Sequence, residues 1–308
     1  MTEIKNITNQ SKIEPNKQLS IKIFFFILIV LIAGWLGRLI DLMLVNDVTS
    51  NTEQGGFDGS LGMLIWLSLP FIVCILFQYF PKQEEKTLGI KLNFKENKKW
   101  YLLSLILFPI IIIAVITIGF AMRSIDISGN AKNNFDQIFA LFISTLVFTL
   151  LKNILEESIF RGFLTTKLES KHIHRIANHI LTGLVWGLWH IPYLVFVIGY
   201  YDQDYFSMDL IIRFIIGCIA VAIIFGEIRL RTNSIWPTII LHTVGGAFAA
   251  IFITSEDLFI FTMENAWLIF PVVESVLFIV FALLIGIIIY KINSTEKKSV
   301  ENNSKSSN

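Results

Sequence analysis

Five side chains in this 308-residue chain are of types and spacings that could do chemistry together. Two adjacent carboxylates, Glu156 and Glu157, stand in the stretch FTLLKNILEESIFRGFL, with Arg161 four residues beyond the second. His190 stands in LVWGLWHIPYLVF and His242 in NSIWPTIILHTVGGAF. All five lie in apolar runs, where an ionisable group is costly and marks a candidate functional site. On a helix Glu157 and Arg161 share a face and can pair, whereas Glu156 is turned by about 100° from its neighbour. One carboxylate can therefore be fixed by the arginine while the other is left for proton transfer. Each residue also has a plainer role open to it. The charged trio could be a helix end reaching for the membrane interface, and His190 a ring packed between Trp186 and Trp189 with a single hydrogen bond.

The elements that must position these residues follow from composition. Hydrophobic residues make up 54% of the chain and charged ones 16%, against about a quarter charged in soluble domains. Apolar blocks of roughly the 20 residues needed to span a bilayer recur along the chain. They predict an all-α, polytopic membrane protein with about eight transmembrane helices: 22–45, 60–80, 100–122, 136–165, 180–200, 209–228, 234–255 and 267–290. Lysine and arginine gather before the first block and after the second, fourth, sixth and last, while the intervening loops are acidic or poor in lysine, except for the mixed 123–135 loop. By the positive-inside rule this places both termini in the cytoplasm. Glu156, His190 and His242 then fall about nine residues from the cytoplasmic ends of three helices, at a common depth of roughly 13 Å, where they would form one polar cavity.

The remaining polar residues carry less. The first block holds Arg38 and Asp41 and is read as a retained helix, not a cleaved signal peptide; the pair is expected to neutralise itself near the outer end. Glu227 is expected in an interfacial cluster with Arg229 and Arg231. His172, His174 and His179 are expected in solvent or at the membrane surface, and Glu274 has no evident partner. Trp100, Tyr101, Tyr200 and Tyr201 sit where an aromatic belt belongs. Cys74 and Cys218 lie in apolar blocks and read as buried small hydrophobes. The polar ends, 1–20 and 292–308, are expected to be disordered cytoplasmic tails, flanking N-terminal helices (21–139), a core (140–255) and a C-terminal helix (256–291). No repeat, phosphate-binding loop or nucleic-acid signature is present in the sequence.

Three segments in order resemble a known family. EESIFR is similar to the EExxxR motif of the CAAX protease and bacteriocin-processing (CPBP, or Abi) intramembrane proteases, relatives of the type II CAAX prenyl proteases. WGLWH resembles that family's second motif, an aromatic residue four before a histidine, with Trp186 in the aromatic place. IWPTIILH resembles the segment leading to its second histidine. The resemblance covers roughly 140–255. It implies an intramembrane endopeptidase in which Glu156 and His190 activate a water, Glu157 and Arg161 organise the site, and His242 helps to stabilise the oxyanion. The substrate implied is a membrane-associated, lipidated or leader-bearing peptide or protein, with bacteriocin or pheromone processing or self-immunity as possible settings. The implied location is the cell membrane, with the site facing the cytoplasmic side and with membrane lipids and a peptide or membrane-protein substrate, but no nucleic acid, as partners.

One position departs from the family pattern. Gly246 stands four residues after His242, where the family usually has Asn or Asp, so one expected oxyanion donor is missing; the amide of Asn153 is a candidate substitute. A metal-free glutamate mechanism is favoured, with a zinc set of Glu156, His190 and His242 as the alternative. A different class of function also stays open, a non-catalytic membrane scaffold or regulator of another membrane protein built on the same fold. A small-solute transporter is a weaker reading, since no inverted repeat or pair of broken helices is evident.

Overall fold

The computed structural model describes residues 2–44, 60–79, 88–127, 135–195, 207–254 and 259–306. The loop residues Asp47, Glu53, Asp58, Lys82, Lys86, Asp202, Asp204, Glu256 and Asp257, whose charges enter the orientation above, and Tyr200 and Tyr201 of the expected aromatic belt lie outside the described residues. The chain is almost wholly helical. Its longer elements are α1 (Thr2–Leu44), α2 (Leu61–Tyr79), α3 (Phe94–Ala121), α4 (Phe135–Glu157), α5 (Thr165–Ser170), α6 (Arg175–Trp189), α7 (Met208–Thr232), α8 (Trp236–Thr254) and α9 (Val276–Ser306). Two short strands, β1 (Ile125–Ile127) and β2 (Phe259–Phe261), pair antiparallel.

Seven helices among the described residues are long and apolar enough to cross a membrane, in an all-α polytopic fold. The segment expected to span at 180–200 differs. It forms the 15-residue α6, which stops at His190, followed by a single turn at Ile191–Tyr193. Pro192 explains the stop: it has no N–H for the carbonyl four residues back, and its ring disfavours helical geometry in the residue before it. α6 nevertheless runs well across the bundle. His179 faces Glu227, Gly183 meets Ile219 and Ala222, and Gly187 meets Ile215, so α6 and α7 pack antiparallel.

One face of the bundle gathers the segment 88–93 and the turns at 171–174 and 233–235. Ile235 N–H donates to the Gly89 carbonyl at 2.9 Å, and Asn97 donates to the Thr232 carbonyl at 3.2 Å. Lys91, Lys95, Lys98 and Lys171 lie here, so it is the basic face. The β1–β2 pair lies at the opposite face, beyond the end of α3.

Two polar features at the helix ends correct the sequence reading. Asp41 turns to the start of α2, accepting from Gly62 N–H and from Ser60 Oγ, each at 2.8 Å. It thereby satisfies donors that a helix start leaves unpaired. Its reach depends on the closeness of α1 and α2, where a side chain on Gly37 would run into the Gly62 backbone. Glu227 and His179 form neither an interfacial cluster with Arg229 and Arg231 nor a solvated surface. Both are fully buried, with His179 Nε2 at 2.8 Å from Glu227 Oε1; Arg175 and Asn293 reach Glu227 Oε2 at 2.6 and 2.8 Å. A buried carboxylate needs such partners, and here they tie α6, α7 and α9 together.

Candidate active site

The site is assembled where α4, α6 and α8 meet. α4 does not end at Glu157 so much as change pitch: residues Ser158–Leu164 form a wider π-helical turn, all seven buried, before α5 resumes the α-helix. Such turns are rare and recur at functional sites. Gly162 lies inside this turn, where a Cβ would sit 3.0 Å from the Leu88 carbonyl oxygen. The turn thereby presses against the 88–93 segment of the basic face.

Glu157 and Arg161 pair as their spacing predicts. Arg161 Nη1 lies 3.3 Å from Glu157 Oε1, and both side chains are fully buried. The same oxygen accepts from His242 Nδ1 at 2.9 Å, which links α4 to α8. The guanidinium is held between two aromatic faces, 4.3 Å from the ring centre of Trp186 and 4.4 Å from that of Phe225. A desolvated cation in such a slot is attracted by both rings.

Glu156 points elsewhere, as its 100° offset requires. One carboxylate oxygen pairs with Lys152, one turn earlier on α4, and the other accepts from Trp186 Nε1 at 3.1 Å. Trp186 is thus the hub of the cluster, with its ring centre 5.6 Å from that of His190 and 5.5 Å from that of His242. His190 is positioned by the end of α6. Its Nδ1 lies 2.9 Å from the Trp186 carbonyl, which its own N–H leaves by bonding Gly187 instead. On α8, Ser234 Oγ accepts from Trp236 N–H and starts the helix, whereas Asn233 adopts a left-handed conformation that ends α7. His242 follows about two turns in, as expected.

A carbonyl oxygen and a carboxylate oxygen both accept, which assigns an N–H to Nδ1 of each histidine and turns Nε2 of each ring to other partners. Both rings line a cavity of about 440 Å³, together with Lys152, Trp186, Gly246 and a largely apolar wall that includes Trp66 and Phe214. The cavity extends from the cluster away from the basic face: α2, α3, α4, α6, α7, α8 and α9 contribute lining residues on the far side of Glu157 and Arg161. Toward the basic face the cluster is closed by buried Phe163, Leu88 and Ile235. Phe148 lines the cavity and is also 56% exposed on α4, so the cavity reaches the bundle surface between α2 and α4.

The structure thus brings together all five residues singled out from sequence. Asn153 is not among the residues lining the cavity; its amide donates to Thr243 Oγ1 at 3.1 Å. Lys152 and Trp66 were missed. A signal for Lys152 existed in its spacing of four from Glu156. Trp66 had none, because its contacts, a 3.1 Å bond to the Trp189 carbonyl and stacking on the Trp189 ring, cross more than a hundred residues of chain. Glu274, without an evident partner in sequence, lines the cavity.

Both oxygens of Glu156 face N–H donors, one of them cationic, and no group of three metal-binding side chains gathers among the described residues. Residues 136–248 match a family model described as type II CAAX prenyl endopeptidase Rce1-like. The match supports assignment of the chain to the CAAX-protease family and, at family level, a CAAX-type intramembrane protease. No curated protein matches the chain.

Proposed function

We propose, on the premise of a CAAX-protease core at 136–248, that this protein is an intramembrane endopeptidase that hydrolyses a peptide bond with a water activated at Glu156 and His190. The observation carrying this reading is that two histidines line one cavity on either side of Trp186, whose indole N–H bonds the buried carboxylate of Glu156 behind it. Glu157 and Arg161 act as the frame, holding His242 against α4. The apolar wall and the opening beside Phe148 suit a lipidated or membrane-associated peptide that arrives from within the bilayer. The lysine-rich face is taken as cytoplasmic from its charge, so the cavity leads toward the opposite leaflet, a direction that differs from the cytoplasmic opening expected from sequence.

A scaffold or regulator of another membrane protein is the second reading, favoured by one observation: both oxygens of Glu156 are engaged, and its carboxylate shows no surface to the cavity. One comparison separates the two. Membrane proteins and released peptides are quantified from cells carrying wild-type or Glu156→Gln protein. Proteolysis predicts a fragment that vanishes with the glutamine variant and with His190→Ala at unchanged protein level. The same fragments at the same rate in all three strains would exclude it.

A further inference from the structure

The polar groups lining the cavity differ in what they can offer to a developing negative charge. His190 and His242 have committed their Nδ1–H groups to Trp186 and Glu157, and as neutral rings, the form that can take a proton from water, they offer the cavity only an acceptor. The Trp186 indole N–H is committed to Glu156, and Gly246 has no side chain. Lys152 is different. It lines the cavity, it carries three N–H donors, and it pairs with Glu156, one turn along its own helix. The contacts Asn153–Thr243 and Glu157–His242 fix the register of α4 against α8. In that register Lys152 is level with Gly246, where a side chain would meet nothing within 4 Å. A flexible ammonium therefore sits beside vacant space in a cavity that needs a donor.

We propose that Lys152 is a catalytic residue of the proteolysis put forward above, and that its ammonium moves from Glu156 to the oxyanion of the tetrahedral intermediate. This rests on the proteolytic reading. Water oxygen attacks the peptide carbonyl carbon, the carbonyl π electrons pass to its oxygen, and the water proton passes by way of His190, which lines the cavity, to Glu156 behind it. Glu156 is then a neutral acid and releases Lys152, which pairs with the new oxyanion. When the C–N bond breaks, the oxyanion electrons rebuild C=O and the proton on Glu156 passes to the leaving nitrogen. The products are an acid and an amine, and Lys152 returns to Glu156. One ion pair is exchanged for another, so no step leaves an uncompensated charge in a low-dielectric site. The engaged carboxylate of Glu156 is then the resting state of the enzyme and no obstacle to it.

The test uses the full chain in lipid nanodiscs, an internally quenched peptide copying the cleaved junction, and a phosphinate analogue of that junction as a tetrahedral mimic. Removing one oxyanion donor costs roughly 100- to 1000-fold in kcat. Lys152→Met is expected to lose that much with KM changed less than threefold, and to lose phosphinate affinity in parallel while the uncleaved peptide binds as before. Adding Gly246→Asn to Lys152→Met should return at least tenfold, since an amide then projects into the vacant space. Should Lys152→Met fail to fold, Lys152→Gln, a neutral donor of similar reach, is expected at an intermediate kcat. A kcat within threefold of wild type in either variant, or a fall in kcat without loss of phosphinate affinity, overturns the assignment. Wild-type cleavage by Glu156→Gln and His190→Ala would instead remove the proteolytic reading itself.

Discussion

Glu157 on α4 and His242 on α8 are joined by a 2.9 Å hydrogen bond whose acceptor oxygen also receives Arg161. A single carboxylate thus fixes the rotamer of a histidine on one helix and neutralises a fully buried arginine on its own. Taking it away leaves the guanidinium between Trp186 and Phe225 without the carboxylate that it bonds. Breaking a buried pair in this way costs about 3–5 kcal/mol. Glu157→Ala is therefore expected to lower the unfolding midpoint in detergent sharply, and Glu157→Ala combined with Arg161→Met to recover part of the loss because the stranded charge goes too. Equal midpoints for the single variant and wild type would show that the pair is not structural.

Two neighbouring glycines on α8 should respond in opposite ways. A Cβ on Gly245 would drive into the Phe108 ring and lie 2.9 Å from the Phe108 Cβ, whereas a Cβ on Gly246 meets nothing. Overpacking of that kind costs typically about 1–3 kcal/mol, while replacing a helical glycine in open space gains roughly 0.5–1 kcal/mol. Gly245→Ala is expected to be destabilised, and Gly246→Ala and Gly246→Asn to be as stable as wild type or more so. Thermal unfolding of the three variants checks the ordering, and a stable Gly245→Ala would contradict it.

What the sequence revealed and what it hid divide along physical lines. Glu156, Glu157, Arg161, His190 and His242 were legible because ionisable groups in long apolar runs are few, and because the spacing of Glu157 and Arg161 sets their pairing. The family motifs then ordered the three helices. The early stop of α6 was legible in Pro192 but was overridden by the length of the apolar run around it. The π-turn at 158–164 left no signature, since it arises from how the helix packs against the 88–93 segment. His179 and Glu227 were misplaced for a related reason: a basic segment near a helix start suggests water, and only the tertiary packing of α6, α7 and α9 shows that both are enclosed. Trp66 was hidden by the same long-range dependence.

The enclosed Glu227 makes a prediction about stability separate from catalysis. Its carboxylate serves Arg175 and His179 of α6 and Asn293 of α9, so it fastens three helices at the basic face. α6 also carries His190, but fifteen residues beyond Arg175. Glu227→Ala is expected to lose about 3–5 kcal/mol of stability. The protein that remains folded at low temperature should keep its phosphinate affinity within about threefold. Affinity falling as far as in Lys152→Met, with stability unchanged, would show that the network acts on the cavity and not on the frame.

Lys152 also bears on the zinc alternative. A cation bound by Glu156, His190 and His242 would have to displace an ammonium and an indole N–H from Glu156. Like charge at that position disfavours it. Cleavage of the quenched junction peptide by the wild-type protein is therefore expected to be unchanged after prolonged dialysis against a strong zinc chelator, and unchanged again when zinc is returned. Lys152→Ala removes the competing charge and frees one oxygen of Glu156, so equilibrium dialysis should detect zinc binding in that variant and much less in wild type. Activity that is lost to the chelator and restored by stoichiometric zinc would establish a metalloprotease and require Lys152 to occupy a different place during turnover.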